Sequence, residues 1–236
     1  MKKEWEIEEV KKVIQNFNYI VGIDEVGRGC LAGPLLVCSL IQKPTTFING
    51  VKDSKELTHK KREILFNNII QNSYGVGIGI VSNKTIDEYG IGISLRLAIL
   101  KSLSNLPFLP KLIITDYVKI RNKKFEGYLK NTQDVKIISI YQRLAQLEDF
   151  NLINFDNNTI YYIPVKKADK HIHVVSSSSI VAKVMRDKYM KHIASKYPIY
   201  KFDKNKGYGS KEHIEAIKKF GHCEIHRTSF KLSHLY

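Results

Sequence analysis

Ile20-Val21-Gly22-Ile23-Asp24-Glu25-Val26-Gly27-Arg28-Gly29 is an apolar run that ends in two adjacent carboxylates and then an arginine between glycines. Val21 and Ile23 read as a buried strand. Such a strand seldom ends in two acids without a partner cation, because desolvating a carboxylate costs several kcal/mol or more. Successive strand residues face opposite sides, yet at a strand end Asp24 and Glu25 can both reach one polyvalent cation. Gly27 and Gly29 free the backbone for close approach to a ligand, and Arg28 offers a fork of donors suited to phosphate. The stretch therefore points to a metal beside a phosphate.

Outward from it, the chain alternates strands and helices. Val10, Val13, Ile14 and Phe17 recur at helical spacing, which predicts a helix over 4–17 leading into a strand at 18–24. A second strand is expected at 35–42 after the Gly33-Pro34 turn, a helix at 59–71, and a glycine-rich strand at 75–81. Asn83 reads as the N-cap of a long helix with Ile86, Tyr89, Ile93, Leu97 and Leu100 on one stripe. Leu112 to Asp116 repeats the opening theme of an apolar strand ending in an acid. Val135 to Tyr141 looks strand-like, and Tyr161 to Val165 predicts a further strand. Ser176 to Ser179 read as the capping start of a helix with Ile180, Val181, Val184 and Met185 on its buried stripe.

The chain has 236 residues, 43% of them hydrophobic, enough for one good-sized core. Thirty-eight Lys and Arg against 23 Asp and Glu leave a formal charge of +15, a balance suited to a polyanion, although a lysine-rich solvated surface gives the same sum. Cys30, Cys38 and Cys223 form no CxxC pair or zinc spacing, and Cys30 reads as a small packing residue. Sparse cysteines, no run of about 20 apolar residues and a charged N-terminus predict a cytoplasmic protein without a membrane span.

The block Asp24-Glu25-Val26-Gly27-Arg28-Gly29, with Leu31-Ala32-Gly33-Pro34 behind it, resembles the opening motif of the type 2 ribonuclease H family, the ribonuclease HII proteins. Further blocks match in order: Asp116, Lys167-Ala168-Asp169, the Ser-Ile-Val-Ala-Lys-Val-x-Arg-Asp pattern through Asp187, Gly207-Tyr208-Gly209, and His226-Arg227-Thr228-Ser229-Phe230. One departure is Tyr117, where the family usually carries glycine. The resemblance implies an α/β ribonuclease H-like fold with a mixed central sheet and a mostly helical C-terminal portion from about 177. It implies one catalytic domain over 1–236, with an inserted hairpin or helix at about 118–158. The acids of that connection, Asp134, Glu148, Asp149 and Asp156, read as surface charges. Only 23 residues precede Asp24, which disfavours the ribonuclease HIII subtype with its extra N-terminal domain.

By the same resemblance, Asp24, Glu25, Asp116 and Asp169 are the catalytic, metal-binding carboxylates, and an all-oxygen set suits two Mg²⁺ or Mn²⁺ ions. Gly27, Arg28 and Gly29 would meet the 2′-hydroxyl and a phosphate. Ser54, Lys55 and Arg227 would hold phosphates, and Tyr208 would pack on the sugar at the ribonucleotide to deoxyribonucleotide junction. Asp187, inside a helix beside Arg186 and Lys188, reads as a structural ion pair. The implied activity is metal-dependent endonucleolysis of RNA/DNA hybrids and of duplex DNA containing ribonucleotides, by a monomer. Two alternatives stay open. A non-catalytic nucleic-acid-binding protein on the same scaffold is suggested by Tyr117 and the long connection, and a small-molecule phosphohydrolase would leave Tyr208 without a purpose.

Overall fold

A computed structural model describes residues 5–145 and 159–230. Five strands, β1 (Ile20–Val26), β2 (Leu35–Gln42), β3 (Gly75–Val81), β4 (Leu112–Asp116) and β5 (Tyr161–Val165), form one sheet in the order β3-β2-β1-β4-β5. The first three run antiparallel, while β1, β4 and β5 run parallel. This is the mixed central sheet that the resemblance implies.

Strand parity sorts the side chains into two layers. Ile20, Val26, Leu36, Cys38, Leu40, Leu112, Ile114, Tyr161 and Ile163 face α1 (Ile7–Ile14), α2 (His59–Gln71) and α7 (His173–Ala194). Val21, Ile23, Leu35, Val37, Ile113 and Tyr162 face α3 (Asn83–Ser104), α4 (Lys123–Lys130) and α5 (Val135–Ala145). A third cluster joins Leu31, Ala32 and Met190 to Tyr200, Phe202, Ile214 and Ile217, around α8 (Phe202–Asn205) and α9 (Lys211–Phe220). The short α6 (Ala168–His171) links β5 to α7.

Three local expectations change. Val135 to Tyr141 is helical: its β-branched residues suggest a strand, but Ile137, Ile140, Tyr141 and Leu144 are buried at helical spacing while Val135 is 76% exposed. The connection after Asp116 is thus helical where described, with Asp134 exposed, and Glu148, Asp149 and Asp156 lie outside the described residues. The cap of α3 is Ser82, whose side chain accepts from Thr85 N, and Gly90 at φ 77° breaks that helix into two. The four serines do not start α7. The helix begins at His173, and Ser176 to Ser179 are buried within it.

Those serines set how closely α7 lies on β1. Ser178 Oγ donates to Gly22 O at 2.8 Å as well as to Val174 O, so the helix seats directly on the strand backbone. On the same face at the other end of the sheet, Gln42 is fully buried, and among the described residues neither polar atom of its amide finds a partner. An unpaired buried amide is a standing cost, so Gln42→Leu is expected to stabilise the protein by about 1 kcal/mol in chemical denaturation. A loss of stability would show that the amide is satisfied by a buried solvent molecule.

Candidate active site

The acids are brought together by register. β1 and β4 pair in parallel, the last pair being Ile23 opposite Thr115, so Asp24 and Asp116 follow side by side at the strand ends. By parity both lie on the face covered by α7. Asp116 in turn pairs with Val165, and the chain then turns through Lys167, at φ 58°, into α6, which carries Asp169. Asp24 and Asp169 are buried, while Glu25 and Asp116 are partly exposed.

Burial and mutual repulsion act on these groups together. Burial first, then the Glu25 charge and the Asp169 charge, hold the Asp24 carboxyl well above its ordinary range, against a hydrogen bond from the Ser179 hydroxyl. Burial also raises Glu25; Arg28 opposes this, and the Asp116 charge adds to it. Asp116 is raised by burial and by Asp169, opposed by the Ala168 and Lys167 amides, and its Oδ1 accepts from Ala168 N at 3.1 Å. The four carboxylates therefore sense one another as one set.

As placed, no three histidine, cysteine or carboxylate side chains among the described residues form a ready-made cage for an ion. Each acid instead leans on a local donor. Arg28 NH1 lies 3.6 Å from Glu25 Oε1, and Lys55 Nζ lies 3.6 Å from Asp169 Oδ2. Burial lowers the Lys55 pKa, but Asp53, Asp169 and Asp24 outweigh it and raise the ammonium's pKa overall. The Lys55 charge is also felt by Glu25 and Asp116. One ammonium thus stands where a cation serves all four acids. The oxygen-only donor set and the raised pKa values of Asp24, Glu25 and Asp116 fit a hard divalent cation, which would relieve the repulsion.

Ser54 is buried rather than presented to solvent, and its Oγ lies 2.9 Å from Ser179 Oγ, so it backs the hydroxyl that supports Asp24. Sequence reasoning missed Ser179 in that role, because a serine run signals a helix cap before it signals packing. Asp187 pairs with Lys183 Nζ at 2.7 Å, an ion pair one helical turn back.

The glycine-flanked turn is held from behind by two buried arginines. Gly27 takes φ 88°, and a Cβ there would lie 2.3 Å from Arg186 Nε. Arg186 donates to the carbonyls of Pro34, Ala32 and Lys206. Arg227, 1% exposed, donates twice to Gly33 O and once to Arg28 O. Arg227 therefore stands behind the turn, where sequence alone places it on a phosphate: three of its five N–H groups go to backbone carbonyls, and burial pushes its guanidinium down to about 10. Arg28 itself is free to reach out, with its side chain 62% exposed.

Tyr208 stands beside this turn, 41% exposed, with Lys183 Nζ 5.7 Å and Arg186 Cζ 5.8 Å from its ring centre. Leu31 N and Ala32 N both donate to Gly207 O, which ties the Gly27 to Pro34 loop to the Tyr208 loop. Cys30 is buried, packs between them and donates to Lys206 O. Tyr117 occupies a left-handed φ of 53°, which its Cβ makes costly and which a glycine would take without strain. Its amide bridges to Thr115 O and Val165 O, and Lys166 Nζ lies 4.9 Å over its ring.

The chain is similar to known proteins over most of its length. The family model described as Ribonuclease HII matches residues 21–233. A protein named ribonuclease HII from Caldicellulosiruptor bescii is 38% identical over 226 residues, covering 96% of this chain and 92% of that relative. One of the same name from Caldicellulosiruptor saccharolyticus is 37% identical over 219 residues, covering 92% and 88%. Among solved structures, ribonuclease H2 from Pyrococcus horikoshii superposes with a TM-score of 0.66 at 26% identity, covering 92% of this chain and 96% of that one. A ribonuclease HIII described in complex with Mn²⁺ shares the fold, with a TM-score of 0.60 at 16% identity and coverage of 94% and 70%.

Proposed function

The chain belongs to the ribonuclease HII family, and on that premise we infer that it cuts the RNA strand of RNA/DNA hybrids and nicks duplex DNA on the 5′ side of an embedded ribonucleotide. The observation that carries this is the convergence of four carboxylates, Asp24, Glu25, Asp116 and Asp169, at adjacent strand ends and the start of α6, beside the Gly27-Arg28-Gly29 turn and Tyr208. Two Mg²⁺ or Mn²⁺ ions bound by these four acids would supply an activated water and stabilisation of the leaving oxygen.

The protein's own groups orient the substrate. Lys55, beside Asp169, and Arg28, beside Glu25, have largely exposed side chains placed to hold phosphates. Backbone atoms of Gly27 to Gly29, fixed by Arg186 and Arg227, approach the 2′-hydroxyl that separates RNA from DNA. Tyr208, braced on one side by cations, offers its open ring to the neighbouring deoxyribose. Every base can pass, because none of these groups reads a base edge.

A duplex carrying one ribonucleotide, incubated with Mg²⁺ or Mn²⁺, is expected to yield a 3′-hydroxyl and a 5′-phosphate at that position. Tight binding without nicking in either metal would make the protein a binding module on this scaffold. Contacts to about two phosphates predict that affinity falls roughly tenfold between about 50 and 200 mM salt. An affinity indifferent to salt contradicts the phosphate contacts assigned to Arg28 and Lys55.

A further inference from the structure

Two buried histidines join the Tyr208 loop to the C-terminal segment, and donor counting fixes the direction of every bond between them. His213 Nδ1 lies 2.8 Å from Tyr208 O, a carbonyl that can only accept, so this nitrogen carries the proton. In a neutral ring the other nitrogen, Nε2, must then accept. It faces His226 Nε2 at 3.0 Å, which must therefore donate. His226 Nδ1 is left as an acceptor, and Cys223 N–H donates to it at 2.8 Å. Cys223 O also lies 3.3 Å from that nitrogen, but it already accepts from His226 N at 3.0 Å. One pair of neutral tautomers satisfies the three shortest contacts. Burial lowers the pKa of both rings, His226 down to about 4, so the neutral forms persist at working pH.

The chain of bonds spans the recognition surface. His226 bridges to Ala32, and the next residue, Arg227, clasps Arg28 O and Gly33 O. Thr228 and Ser229 close onto Asp87 through four hydrogen bonds. Resting on the proposed nuclease function, we propose that His213 and His226 form a relay of fixed tautomers that sets the position of Tyr208 against the Gly27-Arg28-Gly29 turn. They are thereby positioning residues for ribonucleotide discrimination. Neither ring needs to touch substrate for this. His213 holds the main chain of Tyr208 itself, and His226 hands that restraint to the segment that buttresses the turn.

Two measurements test it. In ¹⁵N-edited NMR spectra of the whole protein, His213 should appear as the Nδ1–H tautomer and His226 as the Nε2–H tautomer. Binding to a duplex with one ribonucleotide and to the matching all-DNA duplex, measured in EDTA, gives the discrimination ratio. His226→Phe removes the donor to His213 and is expected to lower that ratio by about tenfold. His226→Gln, whose amide nitrogen can replace Nε2–H, should restore it to within about threefold of the parent. Opposite tautomers, an unchanged ratio in His226→Phe, or equal weakening toward both duplexes would overturn the relay. Absence of nicking by the parent protein would sink the nuclease function instead, and both measurements of the relay would still stand.

Discussion

Asp24→Asn is expected to reduce nicking by about a thousandfold or more while making the metal-free protein harder to unfold. The loss follows from removing the central oxygen donor of the set, an effect at least as large as deleting one preorganised transition-state contact. The gain follows from linkage. Asp24 has a folded-state pKa raised by burial and by Glu25 and Asp169, so its ionised form costs stability at every pH above that value. The cost is relieved only as pH falls through the folded value toward the unfolded one. A neutral amide removes it at all pH and can still pair with the Ser179 hydroxyl. A gain of about 1 kcal/mol corresponds to ~2–4 °C in Tm for a chain of this size. Melting in EDTA near neutral pH, beside a nicking assay in Mg²⁺, checks both halves. A variant that melts lower, or that still nicks at a tenth of the parent rate, contradicts this account of Asp24.

Gly22→Ala is expected to destabilise the sheet strongly. A Cβ at this position would lie 2.4 Å from Val174 O, 2.5 Å from Val174 C and 2.7 Å from Val175 N. All three are backbone atoms of α7, so no side chain can swing aside. The helix would have to lift from β1, losing the Ser178 bond to Gly22 O and moving Ser179 away from Asp24. A loss of about 3 kcal/mol is expected, at the upper end for overpacking because rigid backbone meets rigid backbone. The denaturation midpoint should fall with an unchanged slope, and nicking should fall even where the variant is fully folded. A change under about 0.5 kcal/mol would mean that α7 has slack against β1.

Much of this was legible in the sequence because its cause is local. Apolar strands that end in acids announce themselves at Asp24 and Asp116, and the Gly27-Arg28-Gly29 turn shows its purpose in its composition. What stayed hidden depends on partners distant in the chain. Ser54 and Arg227 look like surface groups until the fold buries them against Ser179 and the Arg28 carbonyl. The helix at Val135–Ala145 was obscured because isoleucine and valine favour strands, and only burial against α3 reveals the helical spacing. His213 and His226 lie 13 residues apart with no pattern between them, so nothing short of their contact could pair them.

The clasp of Arg227 on the Arg28 carbonyl joins positions 199 residues apart. During translation the acidic strand end is made first, and the residue that braces the neighbouring turn follows about 200 residues later. Nascent chains should therefore carry the carboxylates well before they can hold a substrate against them. Competence to cut waits for that second residue, and a polypeptide terminated between the two is expected to be harmless to the nucleic acids around it.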